Sequence, residues 1–124
     1  MNQASLPSHY LNQTWDTYTA AWKASTDAEK QALFVQSLDQ HCEYNDPLVA
    51  TRGWQELTAY MQGFHQQVPG GHFQTKSFNT HHQQSIATWN MLDGKGQVIG
   101  EGTSYGKYND QGKLVAMTGF FATA

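Results

Sequence analysis

The sequence predicts an α+β fold in which a cone-shaped, curved antiparallel sheet wraps over three N-terminal helices. Two observations indicate this fold. Apolar residues recur with helical spacing only in the first half of the chain, whereas residues 72–122 lose that spacing and become rich in Thr, Val, Ile and aromatic residues. Three glycines inside one predicted strand, Gly100, Gly102 and Gly106, indicate bulges or strong bending. A bent sheet over helices has a hollow end that can hold a ligand.

Three segments have the apolar spacing of amphipathic helices. The first covers residues 9–24, and the second begins at the capping-box sequence Thr-Asp-Ala-Glu at 26–29 and runs to about Asp39. The third covers residues 53–66 and is ended by the Pro-Gly-Gly sequence at 69–71. The apolar face of the first helix consists of residues spaced four, three and four apart: Leu11, Trp15, Tyr18 and Trp22.

The remaining apolar segments have the composition of strands. A short strand is expected at His-Cys-Glu-Tyr-Asn, residues 41–45, before the Asp46-Pro47 step. Hairpin turns are expected at residues 93–96 and 109–112, where Gly and Asn can adopt a positive φ. The long strands of the sheet are predicted at residues 72–80, 83–92, 97–108 and 113–122.

Composition narrows the possible functions. The 124 residues suit one domain, and a net charge of −3 without a basic stripe argues against a nucleic-acid partner. No apolar run approaches the length of a membrane span, and the N-terminus lacks the features of a signal peptide. The single cysteine, Cys42, excludes an internal disulfide and suits a reducing compartment. We therefore expect a cytoplasmic protein that contacts neither membrane nor nucleic acid.

Several motifs occur in the order of these elements. They are Tyr-Thr-Ala-Ala-Trp at 18–22, Tyr-Asn-Asp-Pro at 44–47, a third helix that begins at Gly53, and the ending Gly-x-x-Tyr-x-x-Tyr-Asn-Asp-Gln-Gly-Lys-Leu-Val-x-x-Thr-Gly-Phe-Phe at 102–121. Together they resemble the nuclear transport factor 2-like superfamily, which includes ketosteroid isomerase and the SnoaL-like polyketide cyclases. The resemblance implies a nuclear transport factor 2-like, or cystatin-like, domain over residues 1–124, with a ligand pocket and a homodimer through the outer face of the sheet.

Ketosteroid isomerase gives the most specific comparison. In that family a Tyr of the first helix and a protonated Asp of a late strand form an oxyanion hole, and an Asp in an Asp-Pro step is the base. The resemblance places Tyr18 and Asp46 at two of these positions. Ser104 stands where the late-strand acid would be, so the set required for steroid isomerisation is incomplete.

Each candidate also has a structural alternative. Asp46 is either a turn residue that accepts backbone N–H groups or a general base at the mouth of the cone. Tyr18 is either a core residue or a donor aimed at a ligand oxygen. His81 and His82 are adjacent, so their side chains should point to opposite faces of a strand, and we expect no metal site. The residues predicted to bind substrate are Trp22, Phe64, His82, Trp89, Ser104 and Phe120.

These observations favour a domain that binds a small apolar or carbonyl-bearing molecule. The expected activity is that of an isomerase or cyclase that transfers a proton next to a carbonyl, with Asp46 and Tyr18 as catalytic residues and no cofactor. Two alternatives stay open at this point: a ligand-binding module without turnover, and a protein-interaction or dimerisation domain.

Overall fold

The computed structural model describes residues 6–123, which form three helices and a six-stranded mixed sheet. Along the sheet the strands are ordered β2-β1-β6-β5-β4-β3. This arrangement confirms the predicted α+β class. In chain order the elements are α1 (Ser8–Ala20), α2 (Asp27–Ser37), β1 (Leu38–Asp46), β2 (Val49–Arg52), α3 (Gly53–Gln67), β3 (His72–His81), β4 (Gln84–Leu92), β5 (Val98–Tyr108) and β6 (Leu114–Phe120).

The sheet is mixed rather than antiparallel throughout. Strand β1 pairs in parallel with β6, and the other neighbouring strands are antiparallel. Parallel neighbours need a long connection, and here α3 and four strands lie between β1 and β6 in the chain. The pairing places the end of β1, which carries Asp46, beside the end of β6.

Local hydrogen bonds explain where the helices begin and end. The predicted capping box forms at α2, since the hydroxyl of Thr26 accepts from the Glu29 N–H and the Glu29 carboxylate accepts from the Thr26 N–H. Helix α1 ends at Ala20, before the predicted residue 24, because the next three backbone N–H groups bond to carbonyls only three residues back.

The segment after Asp46 forms a hairpin that the sequence did not predict. Strand β2 returns along β1, with Val49 opposite Asp46, so Pro47 and Leu48 form a two-residue turn. Strand β1 is also longer than the predicted strand at 41–45, because it begins directly after α2 at Leu38. The hairpin holds Asp46 at a fixed point of the sheet.

Of the three glycines of β5, Gly102 and Gly106 permit close packing, whereas Gly100 lies beside a bulge. A Cβ atom at Gly102 would overlap the indole of Trp89, which lies opposite it on β4. The register shift between β4 and β5 lies near Gly100, at Met91 and Leu92. No helix in the described part of the chain is long and apolar enough to cross a membrane.

Candidate functional site

A cavity of about 500 Å³ lies between α1, α3 and the inner face of the sheet. Aromatic side chains provide much of its wall. Trp22, in the turn that follows α1, has ring centroids 5.4–6.1 Å from those of four other rings: Tyr44, Tyr60, Phe64 and Phe73. An apolar cavity with a few polar groups is the usual form of a small-molecule site.

Six of the eight predicted site residues line this cavity. They come from both helical walls and from three strands: Tyr18, Trp22, Asp46, Phe64, Trp89 and Ser104. The structure shows their position, and their roles in binding or catalysis stay predictions.

Two of the predicted residues lie elsewhere. His82 is exposed in the turn between β3 and β4, with φ of 51°, so the strand alternation expected for the two histidines stops before it. Phe120 is 60% exposed on the outer side of β6, and Phe121 lines the cavity instead. A register shift between β5 and β6 near Leu114 reverses the alternation of side chains, which explains the error at Phe120.

Asp46 uses its two carboxylate oxygens differently. Oδ1 accepts the N–H of Leu48 at 2.8 Å, which is the turn bond of the first interpretation. Oδ2 accepts two tyrosine hydroxyls, from Tyr44 at 2.6 Å and from Tyr60 at 2.9 Å. The carboxylate is half-buried and lines the cavity. The Asp46 side chain therefore both makes the turn hydrogen bond and lines the cavity.

Tyr44 and Tyr60 were not predicted as site residues, although their spacing in the sequence indicates where they lie. Tyr44 is two residues before Asp46 on a strand, so both side chains point to the same face. Tyr60 follows Leu57 by three residues and precedes Phe64 by four, which places it on the apolar face of α3. Burial raises the pKa of both tyrosines above the ordinary value, and the negative charge of Asp46 raises it further. Both hydroxyls therefore stay protonated and act as donors.

The Tyr18 hydroxyl is a buried donor backed by an indole. Its oxygen accepts the Nε1–H of Trp22 at 3.0 Å, and within residues 6–123 no protein group accepts its own proton. Burial raises the pKa of Tyr18 above the ordinary value, so the proton is retained. A hydroxyl that accepts one hydrogen bond becomes a better donor through polarisation.

Ser104 repeats this arrangement on the sheet. Its Oγ accepts the Nε1–H of Trp89 at 2.9 Å, and its proton has no protein acceptor in the part of the chain that the structure describes. A third donor lies in the wall, because Trp15 lines the cavity and its buried Nε1–H has no hydrogen-bond partner among the described residues. The wall therefore combines one carboxylate with several donors suited to an oxygen atom of a ligand.

Other reactive side chains are poorly placed for chemistry. Burial raises the pKa of the Cys42 thiol to about 12, so the nucleophilic thiolate is scarce at neutral pH. His81, the exposed last residue of β3, contacts His82 in the turn, with 3.0 Å between their Nδ1 atoms. Across residues 6–123 there is no group of three or more His, Cys, Asp or Glu side chains arranged to hold a metal ion.

Comparison with solved structures identifies the fold. No protein-family model matches the chain, and no curated protein matches it. A candidate isomerase of the SnoaL-like family from Agrobacterium tumefaciens superposes with a TM-score of 0.84 and 23% identity, over 93% of this chain and 99% of that protein.

Two further solved structures have the same architecture. A candidate SnoaL-like polyketide cyclase from Jannaschia has a TM-score of 0.74 at 12% identity, over 96% of this chain and 90% of that protein. A nuclear transport factor 2-like protein of unknown function from Exiguobacterium has a TM-score of 0.70 at 13% identity, over 90% of this chain and 99% of that one. At these identities the comparison establishes the architecture: the chain has the nuclear transport factor 2-like fold that its motifs resemble.

Proposed function

We propose that the cavity binds a small, largely apolar molecule with a carbonyl oxygen, and that the protein is an isomerase or cyclase that transfers a proton next to that carbonyl. The observation that carries the proposal is the half-buried Asp46 carboxylate in an aromatic cavity with protonated hydroxyls around it. Structural relatives described as a candidate isomerase and a candidate polyketide cyclase support the same reaction class.

The carboxylate keeps room for a substrate proton. Each carboxylate oxygen offers two acceptor positions. Oδ2 of Asp46 uses both for Tyr44 and Tyr60, whereas Oδ1 uses one for Leu48. The remaining position on Oδ1 can take a proton from the carbon next to the substrate carbonyl.

The hydroxyl donors suit the charge that such a step creates. Removing the proton moves an electron pair onto the carbonyl oxygen and forms an enolate, which donors in the wall would stabilise. Tyr18 and Ser104 each have a proton without a protein acceptor in the described chain and an indole N–H behind the oxygen. Return of the same proton to another carbon completes an isomerisation, so the reaction consumes neither cofactor nor oxidant.

A simple unsaturated ketone tests the reaction. Conversion of 3-cyclohexen-1-one to its conjugated isomer changes the ultraviolet absorbance, and we expect the protein to accelerate it. Asp46→Asn should lower the rate about 100-fold or more, because the base is removed while the side-chain shape is kept. His82→Gln is the matched control, because His82 is exposed and outside the cavity. An unchanged rate in Asp46→Asn, or an equal loss in His82→Gln, would contradict the mechanism.

One observation favours a second candidate, a ligand-binding module without turnover. Three hydrogen bonds already hold the Asp46 carboxylate, which suits recognition of a ligand hydroxyl as well as proton transfer. Such a protein would bind 2-naphthol, an aromatic alcohol with the shape of a cyclic enol, and would leave unsaturated ketones unchanged. Binding measured by equilibrium dialysis together with the isomerisation assay separates the two functions.

A further inference from the structure

Gly119 occupies a special position in the cavity wall. It lies on β6 directly opposite Ser104 in the register with β5, and it lines the cavity. A Cβ atom built on Gly119 would have three nearest neighbours: Asp46 Cβ at 3.5 Å, Ser104 Oγ at 3.7 Å and Tyr44 Oη at 3.7 Å. Three polar side chains, two from β1 and one from β5, are therefore the nearest neighbours of the position that a side chain of residue 119 would occupy.

Packing does not require glycine at this position. The distances at Gly119 are ordinary van der Waals contacts, and its φ lies outside the left-handed region that favours glycine. Gly102 is different, because a Cβ atom there would overlap the Trp89 ring and lie 2.6 Å from the Phe120 carbonyl oxygen. An alanine would therefore fit at Gly119 but not at Gly102. A methyl group at residue 119 would occupy part of the space beside Asp46, Ser104 and Tyr44.

We propose that Gly119 is a specificity-determining residue, and that the space over its Cα receives the oxygen-bearing end of the ligand. This inference rests on the proposed function, since it takes the Asp46 end of the cavity as the polar end. An oxygen atom in that space can accept from the Ser104 hydroxyl and, as a ligand hydroxyl, donate to the carboxylate. The aromatic rings around Trp22 then contact the apolar body of the ligand.

The chemistry of the neighbours defines the ligand class. The point 3.5–3.7 Å from Asp46 Cβ, Ser104 Oγ and Tyr44 Oη is the place of a Cβ atom bonded to Gly119, so a ligand oxygen in van der Waals contact with the Gly119 Cα lies beyond that point. A methyl group at residue 119 would displace this oxygen. The ligand is therefore an apolar compound with a terminal hydroxyl or carbonyl oxygen.

A pair of probes that differ only in the oxygen tests the proposal. The dissociation constants of 2-naphthol and naphthalene are measured by equilibrium dialysis for the wild type, Gly119→Ala and Gly63→Ala. Gly63 is the matched control, because it lines the same cavity from α3 and a Cβ atom there would meet nothing within 4 Å. Each variant adds one methyl group to the wall, and only the methyl at residue 119 lies among the polar side chains.

The readout is the preference for 2-naphthol over naphthalene. We expect Gly119→Ala to lower this preference about tenfold or more, because the hydrogen bonds of the hydroxyl are lost. Gly63→Ala should leave the preference within about twofold of the wild type, because both probes meet its methyl group equally. The melting temperature of Gly119→Ala should not fall, since the new methyl group makes ordinary contacts.

Three results would overturn the inference: a wild type without preference for 2-naphthol, an unchanged preference in Gly119→Ala, or an equal loss in Gly63→Ala. A Gly119→Ala protein that fails to fold would also overturn it, since the space would then be a packing requirement. Failure of the proposed catalysis is a separate result. If the protein shows the expected preferences but does not isomerise 3-cyclohexen-1-one, the result supports the ligand site and excludes the proposed isomerase activity.

Discussion

The variants Asp46→Asn and Asp46→Ala should differ strongly in their free energy of unfolding. Asparagine keeps an oxygen for the Leu48 N–H, and its amide nitrogen can donate to the hydroxyl oxygens of Tyr44 and Tyr60. All three contacts survive with two of them reversed. Alanine removes all three and leaves the hydroxyl of Tyr44, which is 8% exposed, without any hydrogen-bond partner in the described chain. The two substitutions therefore separate loss of charge from loss of hydrogen bonding.

The hydrogen bonds give the size of the difference. Hydrogen bonds to a charged group contribute about 1 kcal/mol more to stability than neutral ones, and Asp46→Asn loses this contribution. Removing the half-buried charge also removes its desolvation cost, which offsets part of the loss. We expect Asp46→Asn to lower the free energy of unfolding by about 1 kcal/mol. Asp46→Ala should lower it by about 3 kcal/mol, because a buried hydroxyl without a partner costs about 1–3 kcal/mol in addition to the lost bonds.

The assay is urea unfolding followed by tryptophan fluorescence, with Asp93 as the matched control. Asp93 accepts two backbone N–H groups in the turn after β4, at 2.9 Å each, and no tyrosine is bonded to it. Asp93→Ala should cost about 1 kcal/mol more than Asp93→Asn, which is less than the difference at residue 46. Equal differences at the two positions would refute the reasoning, because the tyrosine contacts would then contribute nothing to stability.

Two further predictions concern alkaline stability and assembly. Burial raises the pKa of Tyr18, Tyr44 and Tyr108 above the ordinary 10.0, so the folded state keeps protons that the unfolded state loses above that pH. The free energy of unfolding should fall by about 1.4 kcal/mol per pH unit per tyrosine above about pH 10. Urea titrations at several pH values should show a smaller slope for Tyr108→Phe. An unchanged slope would contradict a raised pKa of Tyr108. We also propose a homodimer through the outer face of the sheet, where Ile86 is 45% exposed. Ile86→Lys should therefore lower the sedimentation coefficient, whereas the control Val35→Lys on α2 should leave it unchanged. A wild type that sediments as a monomer would exclude the dimer.

The helices could be predicted because their signals are local. Apolar spacing and the capping box at Thr26 depend on residues within one or two turns, so the bounds of α2 and α3 differ from the prediction by at most two residues. Pairings between distant segments could not be predicted in this way. The parallel contact of β1 with β6 joins residues such as Tyr44 and Met117, and nothing in either segment alone specifies its partner.

The site shows the same division between local and distant information. Tyr18 and Asp46 were found through motifs, and Tyr44 and Tyr60 could have been found from strand and helix spacing. Phe120 could not be placed, because the register shift near Leu114 becomes visible only when β6 is paired with β5. Gly119 has no side chain that a motif could assign, and its position becomes informative only through the three neighbours that surround it.

The turn hydrogen bond of Asp46 and its position in the cavity wall are parts of one arrangement. The hydrogen bond from Leu48 fixes Oδ1, and Pro47 restricts the backbone before it to an extended conformation. With Oδ1 fixed, the carboxylate plane is set and Oδ2 must lie where Tyr44 and Tyr60 reach it. A general base needs this kind of orientation, because proton transfer depends on placement of the acceptor oxygen before its basicity matters. The turn is therefore what aims the carboxylate into the cavity, and a change that loosens the turn should move the acceptor oxygen as well.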